Sequence, residues 1–188
     1  MCARDVCVRR WVIWAWVLSC GASVVVAQQA VQPVKYVPYT NAQFKFATEV
    51  PGHWQAEAKN SPTSSALVFS GLKGSDEYYT TINFQIVQRR TEGPDGVDVR
   101  AGDIQRQWGT AAKYQLISQA KSQFAGAPAM RMVAQYQAPG ASELYKQEQI
   151  VAEKGQYFYL VSYTAPLELY DRHYASMERV IQTFQFLP

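Results

Sequence analysis

Lys154-Gly155-Gln156-Tyr157-Phe158-Tyr159-Leu160, followed by Tyr163-Thr164-Ala165 and closed by Ile181-Gln182-Thr183-Phe184, is the stretch whose reading decides the fold. Lys154-Gly155 separates two strand-like segments, residues 144–153 and 157–164, and glycine supplies the positive φ that a tight antiparallel hairpin needs. Pro166 is read as opening a helix, whose apolar stripe is Tyr170, Tyr174, Met177 and Ile181, with Asp171, Arg172, Glu178 and Arg179 turned away from it. A short strand at 183–187 ends the chain. A hairpin followed by an amphipathic helix puts an antiparallel sheet under a helix.

Upstream, the same alternation recurs. Phe44-Lys45-Phe46-Ala47-Thr48 is a strand stopped by Pro51-Gly52, and 54–58 and 66–71 are two more. In residues 80–87, Ile82, Phe84 and Ile86 face one way and Thr81, Asn83 and Gln85 the other. Gly93-Pro94-Asp95-Gly96 breaks the pattern. Val97, Ala101, Ile104 and Trp108 then follow at i, i+4, i+7 and i+11 of a helix. Strands at 114–120 and 129–136 flank a loop at Gly126-Ala127-Pro128. The expected class is α+β, an antiparallel sheet with helices packed on it. Trp54 and Trp108 are expected in its core.

Three patches carry a family resemblance: Phe44-Lys45-Phe46 leading into Pro51-Gly52-His53-Trp54, the Gly126-Ala127-Pro128-Ala129 turn, and the stretch quoted first. Together they resemble the PsbP-like family, named after an extrinsic protein of photosystem II. That family also includes a Ran-binding nuclear transport factor and many exported bacterial proteins. The resemblance implies an α/β/α sandwich around an antiparallel sheet, and binding or assembly roles more often than catalysis. It transfers no functional residue: Phe46, Pro51, Trp54, Gly155, Tyr157 and Phe184 read as packing and turn positions.

The N-terminus adds a location. Arg9-Arg10 precede an uncharged run from Trp11 to Ala27, and Val25 and Ala27 are small residues placed for cleavage before Gln28. Residues 1–27 therefore read as a signal peptide, 28–43 as an extended arm held by Pro33 and Pro38, and 44–188 as one domain. Two other readings of the leader stay open. Val17-Leu18-Ser19-Cys20 resembles a lipobox, which makes Cys20 a lipidation site, and the apolar run also reaches the short edge of an uncleaved membrane anchor. All three place the domain outside the cytoplasm, in the periplasm or on the envelope. Contact with membrane is expected only through the leader or a lipid anchor.

All three cysteines lie in the leader, so the domain must be stabilised by its core rather than by disulfides. Arg4, Arg9, Arg10 and Asp5 supply two of the three net positive charges, and the remainder is close to neutral without a basic cluster. This argues against a nucleic-acid partner.

Little catalytic chemistry is legible. The only histidines, His53 and His173, are far apart in sequence, and no cysteine accompanies them in the domain. A metal site would need carboxylates brought in by the fold, so none is expected. Replacing both histidines with alanine is expected to leave the biological role intact. No Gly-x-Ser-x-Gly elbow occurs. Ser70…Lys73 and Ser118…Lys121 match Ser-x-x-Lys without its companion elements, and Gly71-Leu72-Lys73-Gly74 is not a phosphate loop. Asp76-Glu77 and Glu143 are acids that a paired-carboxylate mechanism could draw on, although solvated acids on any surface look the same.

Tyrosine is the unusual residue, with 12 in the chain. Tyr157, Tyr159 and Tyr163 share one strand face. Core packing beneath the last helix is the preferred account, and an aromatic binding surface at these three is the functional alternative. The expected role is a non-enzymatic binding or assembly accessory for an envelope protein, with no cofactor. The alternatives are a carrier holding an apolar ligand or lipid between sheet and helix, and a hydrolase.

Overall fold

The computed structural model describes residues 34–60 and 64–188. The leader, Cys20 and Gln28–Pro33 of the arm lie outside the described residues.

Among the described residues, ten strands form two sheets. The larger has seven antiparallel strands: β3 (Gln55–Asn60), β4 (Ser64–Ser70), β5 (Thr81–Gln88), β6 (Ala112–Phe124), β7 (Ala127–Gln137), β8 (Leu144–Lys154) and β9 (Tyr157–Pro166). Their spatial order is β3-β4-β5-β9-β8-β7-β6. Consecutive strands are neighbours except β5 and β6, which the helix-bearing segment 89–111 connects across the sheet, so that β8 and β9 lie between β5 and β7. Gly155, at φ 60°, begins the β8–β9 turn, where a side chain would be strained.

The smaller sheet has the order β1-β2-β10, from β1 (Tyr36–Asn41), β2 (Phe46–Pro51) and β10 (Gln185–Phe186). Residues 36–41, read from sequence as arm, are thus a paired strand. Pro38 is tolerated because β1 is an edge, where one side of the strand needs no ladder donor.

Side-chain alternation divides the large sheet into two cores. On one face Ala101 and Ile104 of α1 (Val97–Trp108) pack on Met130, Met132, Val151, Phe158 and Leu160. The other face, with Phe84, Ile150, Tyr159 and Val161, is covered by the small sheet and by α2 (Tyr170–His173) and α3 (Ala175–Thr183). There Phe46 stacks between Phe84 and Phe184 at centroid distances of 5.4 and 5.3 Å. Each such buried ring contributes about 1.5–3 kcal/mol. Thr48 Oγ1 donates to Val180 O (3.2 Å) and Glu49 N donates to Thr183 Oγ1 (2.9 Å), fastening the end of α3 to β2. The result is the α+β fold read from the sequence, with helices on both faces of an antiparallel sheet.

Two local readings need correction. Pro166 ends β9, paired with Tyr145, and does not open a helix. The helix starts at Tyr170 and is interrupted at Tyr174, where the Met177 N–H reaches the Tyr174 carbonyl three residues back. Trp108 is only half-buried at the rim of the second core, whereas Trp54 is buried.

Candidate functional site

Around the β4–β5 connection lie both histidines, Asp76, Glu77 and the exposed rings of Tyr78 and Tyr79. Asp76–Tyr79 forms a single 3-10 turn there, packed against β4 and β9. Gly71 permits this packing. A Cβ at that position would stand 2.4 Å from the Glu77 carbonyl carbon, so any other residue must displace the turn. Ser75 Oγ donates to Leu72 O (2.7 Å) and steadies the approach to it.

The turn carries Asp76 and Glu77 into contact with both histidines. His53 Nε2 lies 2.6 Å from Glu77 Oε2, and His173 Nδ1 lies 3.7 Å from Glu77 Oε1. Trp54 Nε1 donates to Glu77 Oε2 (3.2 Å), which satisfies the buried indole. Asp76 Oδ2 accepts from Arg172 Nη1 (3.0 Å) and is 3.5 Å from His173 Nε2. The Arg172 guanidinium, aided by His173, holds the Asp76 carboxyl below its ordinary range. Residues 120 apart in sequence are therefore neighbours in space, which the spacing of the histidines concealed. They do not form a ligand set. The Glu77 carboxylate stands between the two rings, each taking a different oxygen, and among the described residues no three His, Cys, Asp or Glu side chains are arranged to hold a metal ion. The cluster clasps the turn to the start of β3 and to α2.

Beside the clasp opens a cleft of about 530 Å³ lined by Tyr79, Glu143, Leu144 and Pro166–Leu169. Tyr79 is 56% exposed and Leu167 42%. Tyr78 meets Tyr79 edge-on at 5.1 Å, which orients the open ring. Glu143 accepts from Ser142 Oγ at 2.9 Å. That bond, with further help from the Tyr145 hydroxyl, keeps the Glu143 carboxyl below its usual range.

A second polar cluster lies deeper. Glu148, 2% exposed, is paired with Arg131 through Nε–Oε1 (2.8 Å) and an Arg131 Nη2 bond to Oε2 (3.0 Å). Tyr174 Oη donates to the same oxygen at 2.7 Å and accepts from Arg131 Nη2 at 2.7 Å. Sequence reading missed this cluster, because a Gln-Glu-Gln run in β8 looks like a solvated face.

The expected aromatic surface is mostly core. Tyr159 and Tyr163 are buried, donating to Phe44 O (2.9 Å) and Tyr170 O (2.8 Å) respectively. Tyr159 thus cannot present a contact face, nor can Tyr163, because β9 is central and covered on both sides. Only Tyr157 is partly open, beside Phe44 at 6.1 Å. The open aromatic pair is instead Tyr78-Tyr79, whose adjacency to Asp76-Glu77 was visible in the sequence but carried no spacing signal.

Neither a protein-family model nor a curated protein sequence matches the chain. Solved structures do. The solution structure of cyanobacterial PsbP (CyanoP) from Synechocystis sp. PCC 6803 superposes with a TM-score of 0.59, over 83% of this chain and 95% of that one, at 12% identity. The fold is PsbP-like. Two further structures share it: PA94 of Pseudomonas aeruginosa, a protein of unknown function (TM-score 0.52, 17% identity, 81% of this chain and 96% of that one), and LpqN of Mycobacterium tuberculosis, which is involved in cell envelope biogenesis (0.51, 11%, 82% and 92%).

In this chain the residues that carried the resemblance are framework. Phe46, Trp54 and Phe184 are core, Pro51 closes β2, and Gly155 makes the central hairpin turn. The clasp and the cleft sit on the connections, where a shared fold leaves side chains free to differ.

Proposed function

We propose that this chain is a non-enzymatic, exported binding or assembly accessory, envelope-associated through its leader or a lipid anchor, and that it binds its partner at the end of the sheet. The observation that carries this reading is the open cleft beside the 3-10 turn, walled by apolar side chains with exposed Tyr79 and Leu167. Exposed apolar residues gathered at one place mark interaction sites. The groups best suited to catalysis point the same way. His53, His173, Asp76 and Glu77 are engaged with one another and with Arg172 in holding the turn. An envelope role is in keeping with the PsbP-like fold shared with LpqN.

The carrier reading finds no support where it was expected. The space between the large sheet and α3 is filled by Phe46, Phe84, Phe124 and Phe184, with ring centroids 4.5–6.4 Å apart.

Crosslinking the full chain in intact cells, followed by mass spectrometry, tests the binding role. A discrete partner protein is expected, whereas turnover in a broad hydrolase screen, lost on mutating His53, would overturn it. N-terminal analysis of the mature protein tests location. Gln28 as first residue supports cleavage after Ala27, an acylated Cys20 a lipoprotein, and an intact Met1 an anchor.

A further inference from the structure

We infer that the cleft receives an arginine side chain presented by an apolar segment of a partner protein. The inference rests on the binding role proposed above and names the chemistry of what is bound.

Charge selects the occupant. Glu143 and Glu168 both line the cleft, and among the described residues no cation pairs with either. Lys146, on the adjoining strand, turns elsewhere: its Nζ lies 3.8 Å from Asp171 and 4.0 Å above the Tyr170 ring. The cleft thus joins an apolar wall to two uncompensated carboxylates. That lining repels the anionic phosphates of lipid headgroups and nucleic acids. It favours a cation on a long apolar stem.

The open Tyr79 ring then favours arginine over lysine. A planar guanidinium can lie on an aromatic face while its edge pairs with a carboxylate, whereas an ammonium is a more strongly hydrated point charge. Leu144, Pro166 and Leu167 offer surface to apolar residues flanking the arginine, and a volume of about 530 Å³ falls in the range of small-ligand sites. Glu143 is held ready for this pairing, since the Ser142 hydroxyl favours its charged form.

The test titrates the folded full chain with N-acetyl-Leu-Arg-Leu-amide, monitored by NMR, beside the same peptide carrying glutamate or norleucine in the middle. Saturable shifts at Tyr79, Leu144 and Leu167, seen with the arginine peptide and at least about tenfold weaker with the others, are expected. The Glu143→Gln/Glu168→Gln double variant should lose about tenfold in affinity with an unchanged thermal midpoint, because both side chains are exposed. No saturable shift, equal binding of the three peptides, or full affinity in the double variant would overturn the inference. So would tighter binding of monomeric dodecyltrimethylammonium, which would assign the cleft to a cationic amphiphile. A photo-crosslinking residue at Leu167, compared with one at Gln119 on β6, separates this inference from the broader role. Capture of a partner at Gln119 alone would remove the cleft and leave a binding protein, and capture at neither would remove both.

Discussion

Glu148 sits in β8 at 2% exposure, and only its partners make that tenable. An ionised carboxylate taken out of water is stabilised when its oxygens accept charge-assisted hydrogen bonds. Arg131 and the Tyr174 hydroxyl supply them. Arg131→Ala should leave the carboxylate buried with Tyr174 as its one remaining partner, at a cost of about 2–3 kcal/mol in urea unfolding. An unchanged midpoint would mean that water replaces the guanidinium freely. Trp54 and Trp108 separate in the same way. Trp54→Ala should cost about 3–5 kcal/mol, since it empties a core position and removes one of the two partners of Glu77 Oε2. Trp108→Ala should cost about 1–2 kcal/mol, because the ring is only half-buried. Equal losses at both sites would contradict the burial difference.

At the scale of the element, the 3-10 turn Asp76–Tyr79 is held from three sides: by Gly71, by His53 with Trp54, and by α2 through Arg172 and His173. Gly71→Ala should destabilise the protein by about 1–3 kcal/mol, as overpacking does, and should shift the Tyr79 resonances more than those of α1. A variant with wild-type stability and unmoved Tyr79 signals would show that the turn accommodates a methyl group. Periodicity made the strands and α1 readable, because alternation and the i, i+4, i+7 stripe are local properties of the chain. It could not reveal the 3-10 turn, four residues with no buried member. Nor could it tell that 36–41 pairs as β1, since whether an extended segment hydrogen-bonds depends on a partner strand elsewhere in the chain.

At the scale of the whole molecule, the tyrosines link the core to pH. Burial pushes the Tyr163, Tyr170 and Tyr174 hydroxyls well above the ordinary value of 10.0, with nearby acids adding to the effect. A group whose folded pKa is raised contributes stability that is complete below its unfolded value and is lost as pH rises toward the folded one. Stability should therefore fall as pH rises above about 10, where tyrosines of the unfolded chain ionise. Ultraviolet titration should show a class of tyrosines that ionises only on unfolding. Replacing Tyr170 with phenylalanine should shrink that class and flatten the alkaline limb, and full titration of all tyrosines in folded protein would refute the account.

The strands after β1, the Gly155 hairpin and the apolar faces of α1 and of the last helix were determined by the sequence itself. Each depends on residues within one or two turns of one another. The tertiary structure alone decided what those elements bring together: β9 between β5 and β8, Glu148 beneath Tyr174, His53 and His173 on opposite oxygens of Glu77, and Tyr79 beside Glu143. These contacts depend on which strand ends become neighbours. That is settled by long-range pairing and by the burial of aromatic rings between two sheets, neither of which leaves a local period in the chain.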